Sequence, residues 1–211
     1  MLSEKTVLVI GGGQIYYQPF SRFGKYSSDQ GLLSTPEKIS LVVFSGGADI
    51  SPSLYGCSIS RLTYCNPKRD VFELIMFRQA LKAKLPMAGI CRGAQFLCAM
   101  AGGTLFQHVA GHSDGRHAMK TWDDRLFNVT STHHQMQKPP EDAKILAWSE
   151  YPLSDIYVTE DDLEVEAPEL EVECAYYPNI NAVGMQYHPE MMPDNSEGFQ
   201  FAEELVMDFV L

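Results

Sequence analysis

The chain predicts an α/β fold of three layers, in which a mainly parallel central sheet carries helices on both faces and a small antiparallel strand region is appended. Two observations predict it. Short apolar runs at Thr6–Ile10, Leu41–Phe44, Leu85–Ile90 and Ala182–Met185 each end in glycine or polar residues, as buried parallel strands do. Segments of helical period lie between or after them, and strands that alternate with helices favour a parallel sheet covered on both sides. The stretch from Gly103 to Val172 instead looks strand-rich with polar turns, which supplies the antiparallel part.

Taken in order, Thr6-Val7-Leu8-Val9-Ile10 reads as the first strand, closed by Gly11-Gly12-Gly13. A dinucleotide fingerprint fails there, because Gly11-Gly12-Gly13-Gln14-Ile15-Tyr16 lacks the third glycine at a helix start. Leu41-Val42-Val43-Phe44 is a second strand that runs into the Gly46-Gly47 turn. Arg69 to Lys84 has helical periodicity, with Val71, Leu74, Ile75 and Ala80 as its apolar positions, and Pro86 ends it. Ser196 to Leu211 closes the chain as a helix, capped at Asn195-Ser196, with Phe199, Phe201, Ala202, Leu205 and Val206 apolar. No long linker, internal repeat or low-complexity segment divides the 211 residues, so one domain over 1–211 is expected.

The most informative stretch is Gly89-Ile90-Cys91-Arg92-Gly93, a Gly-x-Cys-x-Gly turn between the strand Leu85–Ile90 and a helix that starts near Ala94. A residue on such an elbow sits in a tight, strained turn with its side chain thrust outward, and a Cβ at either flanking glycine would clash. The helix N-terminus beyond it supplies unpaired N–H groups and a positive dipole end, a setting that suits an anionic sulfur nucleophile. A buried cysteine after an ordinary strand is the plainer alternative. What decides between them is whether a base stands elsewhere in the chain.

That base is found at Gln186-Tyr187-His188-Pro189-Glu190, where another strand-like run ends in polar chemistry. A cysteine nucleophile needs a base, and the base needs a third group to orient its ring. Residues two apart on extended backbone point to the same side, so Glu190 can brace His188. The Gly46-Gly47 turn adds backbone N–H groups that approach a substrate closely. Acyl transfer from an amide passes through an oxyanion, for which the N–H groups of Gly47 and Arg92 are natural donors.

Together these residues resemble the class I glutamine amidotransferase superfamily, whose triad is Cys, His and Glu, and most closely its γ-glutamyl hydrolase branch, the C26 peptidases that include γ-glutamyl-γ-aminobutyrate hydrolases. Further stretches carry the resemblance: Gly46-Gly47-Ala48-Asp49-Ile50-Ser51-Pro52 running to Leu54-Tyr55-Gly56, Arg69-Asp70-Val71-Phe72-Glu73, Gly102-Gly103-Thr104-Leu105-Phe106-Gln107, and Ser131-Thr132-His133-His134-Gln135. It extends from about Val42 to Glu190. The resemblance implies a flavodoxin-like, class I glutamine amidotransferase-like fold, with Cys91 as nucleophile, His188 as base, Glu190 as its orienter, and Gly47 and Arg92 as the oxyanion hole. It further implies a glutamyl pocket lined by Gly46, Gln95, His133, His134 and Gln135, with no cofactor and no metal.

Two features depart from that family. The Tyr-, Ser- and Gly-rich stretch from Gly11 to Leu41 is shorter than its usual opening, and Cys98 stands where the hydrolases often carry asparagine. Both bear on substrate choice more than on reaction type. A stand-alone hydrolase would cut a γ-glutamyl amide and release glutamate and an amine. The alternative is a glutaminase subunit that makes ammonia from glutamine for a separate synthetase, and a catalytically silent binding or regulatory protein is a third reading. The partners implied are thus a small γ-glutamyl substrate or glutamine, with a synthetase in the second case; a homodimer is compatible with each.

Composition excludes other classes. A net charge of −11 argues against non-specific binding to nucleic acid or anionic membrane. No run of eighteen apolar residues occurs, and Met1-Leu2-Ser3-Glu4-Lys5 lacks the apolar core of a signal peptide, so a cytoplasmic location is expected. Five cysteines without CxxC spacing fit a reducing compartment. The acidic run Glu160-Asp161-Asp162-Leu163-Glu164-Val165-Glu166 reads as a solvated face whose second half alternates like a strand. His108, His112 and His117 sit in a loop broken by Gly111 and Gly115, with no cysteine or second carboxylate at ligand spacing, so a pocket cover is expected there rather than a metal.

Overall fold

A computed structural model describes residues 5–113, 115–159 and 163–211. Among them, the first strands are β1 (Thr6–Ile10), β2 (Lys25–Ser27), β3 (Ile39–Phe44) and β4 (Met87–Ile90), with helix α1 (Pro67–Lys82) before β4 and α2 (Arg92–Met100) after it. The middle of the chain supplies β5 (Thr104–Phe106), β6 (His108–Val109), β7 (Gly115–Thr121), β8 (Leu126–Ser131), β9 (Met136–Lys138), β10 (Lys144–Ser149), β11 (Tyr157–Val158) and β12 (Glu164–Val165). Strands β13 (Val172–Tyr177) and β14 (Ala182–Met185) and helix α3 (Glu197–Phe209) complete the order.

The main sheet has the order β2-β1-β3-β4-β14-β13-β10-β7-β8. Its first five strands pair parallel, and every pairing from β14 onward is antiparallel. The antiparallel part is therefore an extension of the central sheet, with two small sheets, β12-β11-β6 and β5-β9, beside it. Alternation along the central strands shows the three layers directly. Val7, Val9, Leu41, Val43, Ala88, Val183 and Met185 face a cluster with Phe20, Phe23 and the α3 residues Phe201, Ala202, Leu205 and Val206. Leu8, Ile10, Val42, Phe44, Met87 and Ala182 face the opposite cluster with Met76, Phe77 and Ala80 of α1 and Phe96 and Leu97 of α2.

Some local expectations are corrected. The first crossover is a 3-10 segment, Gln14–Phe23, with Pro19 inside it; its Phe20 and Phe23 do the covering that an α-helix would otherwise do. In α1, Val71 and Ile75 are exposed, and the buried face is Asp70, Glu73, Met76, Phe77 and Ala80. The stripe is offset because two of its inward positions are carboxylates, which apolar periodicity does not register. In α3 the Ser196 hydroxyl accepts from the Phe199 N–H, as its capping role requires, while Phe199 itself stays half-buried. Cys98 lies on α2, fully buried beside β5, and burial pushes its thiol up to about 12. Residues 1–4 and Glu160-Asp161-Asp162 lie outside the described residues; Glu164 and Val165 are exposed, as a solvated acidic edge requires. Among the described residues no helix is long and apolar enough to cross a membrane.

The elbow glycines are dictated by close approach. A Cβ on Gly89 would lie 2.4 Å from the Gly93 carbonyl carbon, and one on Gly93 would lie 2.0 Å from the Phe44 carbonyl oxygen. Backbone cannot yield as a flexible side chain can, so Gly93→Ala is expected to lower stability by roughly 1–3 kcal/mol or more. Gly13→Ala, with nothing within 4 Å of the added carbon, serves as the neutral control. Denaturant unfolding of the two variants beside the parent checks this, and equal midpoints would refute it.

Candidate active site

Strand β4 delivers Cys91 to the carboxyl edge of the parallel sheet, and α2 begins at the next residue. Cys91 has φ 50° and ψ −107°, outside the ordinary regions for an L-residue. Such strain costs on the order of 1–3 kcal/mol and persists only where surroundings enforce it. Here the Cys91 N–H donates to the Met185 carbonyl at 2.7 Å, and the Cys91 carbonyl accepts from the Gln95 N–H at 3.0 Å. The elbow is thereby clamped between β14 and the first turn of α2.

His188 follows β14, three residues beyond its end. Its Nδ1 lies 2.7 Å from Glu190 Oε1, across a 3-10 turn that starts at Pro189. Its Nε2 lies 2.9 Å from Thr132 Oγ1, and Cys91 is near enough to act on its titration. The ring is also held through its backbone: the His188 N–H donates to the Thr130 carbonyl at 3.1 Å, and the Thr130 hydroxyl donates to the His188 carbonyl at 2.6 Å. Burial alone would push His188 down, but Cys91 and Glu190 outweigh it and raise the imidazole to about 10. The three side chains expected to act together are thus brought together.

The Ser45-Gly46-Gly47 turn closes the site on the other side. A Cβ on Gly46 would meet the Tyr16 hydroxyl at 3.0 Å and His188 Cε1 at 3.4 Å, so this glycine lets the turn lie against the imidazole. Gly47 has φ +143°, and a Cβ there would strike the Arg69 guanidinium at 2.1 Å. Arg69 Nη2 donates to the carbonyls of Ser45 at 3.1 Å and Gly46 at 2.9 Å, while its Nε pairs with Glu73 Oε1 at 2.8 Å. Glu73 also binds Arg92, whose second amino group reaches Asp70 Oδ1 at 2.5 Å. Asp70 in turn accepts from the Ser51 N–H and hydroxyl. One buried ion network therefore joins the residue after Cys91 to the glycine turn.

The expected pocket residues divide. His134 stays about one-third exposed, with Nε2 3.1 Å from Asp49 Oδ1. Gln95 is buried and donates to the Gln135 carbonyl at 3.2 Å, and Gln135 donates to Gln107. His133 turns inward: Nδ1 meets the Gln135 carbonyl at 2.9 Å, and its ring stacks beside His112. The loop expected to cover the pocket likewise buries His112 and His117 rather than laying them over the site. Tyr16 and Thr132 went unrecognised in the sequence. Tyr16 has no motif around it; burial first, then the Glu190 and Cys91 charges, push its hydroxyl up. Thr132 was readable only as the neighbour of His133.

With this geometry in hand, likeness to known proteins narrows the class. The Peptidase C26 family profile matches residues 27–190, and the chain belongs to that family. A glutamine amidotransferase-like protein, the YvdE homologue of Lactococcus lactis subsp. cremoris, is 44% identical over 70 residues, which are 33% of this chain and 37% of that one. The carbamoyl phosphate synthase small chain of Helicobacter acinonychis is 26% identical over 134 residues, covering 64% of this chain and 32% of its own. The chain spans only about a third of the length of its Lactococcus lactis and Mycobacterium tuberculosis relatives. Among solved structures, PurLQS from Thermotoga maritima shares the fold with a TM-score of 0.61 at 13% identity, over 99% of each chain.

Two outcomes are expected from this site. Glu73→Gln leaves Arg92 buried with half its charge partners, and breaking a buried pair in this way costs about 3–5 kcal/mol; chemical denaturation reads it directly. Because His188 has a folded value of about 10 against an ordinary 6.5, its protonation stabilises the fold fully below pH 6.5. That contribution is lost as pH rises toward 10. In Cys91→Ala one of the two raising partners is gone, so the His188 titration followed by imidazole NMR should move down from about 10. An unmoved midpoint would show that Glu190 alone sets it.

Proposed function

We propose that this chain is a cysteine-dependent hydrolase that cleaves a γ-glutamyl amide bond through a thioester on Cys91 and releases glutamate and an amine. The observation that carries the reading is the strained Cys91 elbow facing a His188 whose far nitrogen is held 2.7 Å from Glu190. Membership of the Peptidase C26 family supports amide hydrolysis as the reaction class.

In the mechanism, the Cys91 sulfur attacks the γ-carbonyl carbon, and the N–H groups of Gly47 and Arg92 stabilise the oxyanion. His188, protonated at rest, gives its proton to the departing amine as the C–N bond breaks. Acylation consumes the sulfur charge that helped to raise His188, so the imidazole left behind is a better base for the second step. It takes a proton from water, hydroxide adds to the thioester, the C–S bond breaks, and glutamate leaves with Cys91 and His188 restored. Glu190 keeps the ring oriented throughout. Gly46 and His134 border the space where the glutamyl group would sit, while Gln95, His133 and Gln135 would shape it from behind.

A second reading is a glutaminase that supplies ammonia to a separate synthetase, favoured by the likeness to a carbamoyl phosphate synthase small chain. Glutamate release from glutamine and from a panel of γ-glutamyl amines separates the two. Turnover of an amine with little on glutamine is expected, and Cys91→Ala should lose at least a thousandfold while remaining folded, on the scale of losing an essential nucleophile. Activity on glutamine alone would favour the synthetase-linked reading. Undiminished release by Cys91→Ala would sink both, and a thiol at Cys91 that resists labelling would point to a silent protein.

A further inference from the structure

Away from the nucleophile, the fold gathers His112, His117 and His133 around Glu173, with Glu171 behind them, all buried. These side chains come from four separate places: the loop before β7, β7 itself, the turn after β8, and β13. Their ligand atoms converge on one point. Glu173 Oε1 lies 3.3 Å from His112 Nδ1, 3.5 Å from His133 Nε2 and 3.1 Å from His117 Nε2. None of these contacts has hydrogen-bond geometry: both Glu173 oxygens, His133 Nε2 and both nitrogens of His112 and His117 have no hydrogen-bond partner. Burying so many polar atoms unsatisfied is costly, and natural interiors avoid it unless something fills the gap.

The orientation of His133 says what fills it. Its Nδ1 lies 2.9 Å from the Gln135 carbonyl, which can only accept, so the proton sits on Nδ1. In the neutral ring Nε2 then presents a lone pair toward a carboxylate oxygen, an arrangement that repels unless a cation lies between them. A histidine that gives one N–H to a backbone carbonyl and its other nitrogen to a metal is a common support for metal ligation. The spacing agrees, since adjacent ligands on a tetrahedral zinc with bonds of about 2.0–2.1 Å lie roughly 3.3 Å apart.

We propose that His112 Nδ1, His133 Nε2 and Glu173 form a buried site for a zinc-class divalent cation. The three ligand atoms lie within 4.8 Å of one another. Imidazole and carboxylate without thiolate suit such borderline ions. Glu171 Oε2, 3.1 Å from His112 Nε2, backs one ligand ring, and it is itself held by the Leu153 and Ser154 N–H groups and the Tyr157 hydroxyl. His117 backs the carboxylate. The ion would pin the turn carrying Thr132 and His134 to β13, a structural role apart from the chemistry at Cys91. The expectation of no metal rested on the absence of a carboxylate near the histidine loop in sequence; the fold brings two from more than fifty residues away.

The test uses the whole chain with Cys91→Ala as background, so that the nucleophile cannot ligate the ion. After chelator treatment and dialysis, zinc is titrated by calorimetry and metal content is counted by mass spectrometry. One zinc per chain is expected, with a raised thermal midpoint, and cobalt(II) in its place should show tetrahedral visible bands without a thiolate charge-transfer band. His133→Asn and, separately, Glu173→Gln should weaken zinc at least tenfold, with circular dichroism confirming that each is folded. If either fails to fold, the stoichiometry and cobalt spectrum of the background protein still decide. No uptake of zinc, or a thiolate band, overturns the proposal, as does undiminished binding in both folded variants.

Discussion

The geometry of this site depends on a single buried guanidinium. Arg92 is the residue after Cys91, and its side chain is almost wholly inaccessible between Asp70 and Glu73 of α1. A charge in that position is tolerable only because two carboxylates meet it, and a buried pair of this kind gives little net stability. What it gives is placement. Glu73 shares its second oxygen with Arg69, and Arg69 holds the carbonyls of the Ser45-Gly46 turn. Elbow and turn are thus tied to the same helix turn, so the two backbone N–H groups proposed to meet the oxyanion are referenced to one another. Preorganisation of that kind is where electrostatic catalysis gains most.

The network also explains why the layers could be read from the sequence and one helix face could not. Buried strands announce themselves as apolar runs, and β1, β3, β4 and β14 fall where those runs lie. Helix α1 was legible as a helix because its period is regular, but its inward face is set by Asp70 and Glu73, which pattern reading assigns to water. Only the partner, Arg92, nineteen residues beyond Glu73 and itself read as a backbone donor, explains their burial. A long-range charge match leaves no local trace.

The same contrast holds within the site. Cys91, His188 and Glu190 could be singled out together because the strand-to-helix elbow is a local device, and the His-Pro-Glu turn, weak alone, gains meaning beside it. Thr132 and Tyr16 approach the base from distant segments, and their residue types carry no motif. His133 and His134 looked equivalent in sequence, yet the turn after β8 sends His134 toward Asp49 and His133 into the cluster around Glu173.

The double backbone tie between His188 and Thr130 has a further consequence. Strands β14 and β8 are four places apart in the sheet order, about 19 Å if the sheet were flat at ~4.8 Å per strand. Main-chain contact between Thr130 of β8 and His188, three residues past the end of β14, is therefore made by the chain that follows β14 and not by strand pairing. The imidazole is suspended from the β7–β8 hairpin as much as from its own strand. A one-residue slip in the hairpin would move Thr130 by about 3.3 Å and turn its side chain to the other face. Hairpin register is thus a remote setting for the imidazole, held by two bonds from a strand that carries no motif of its own.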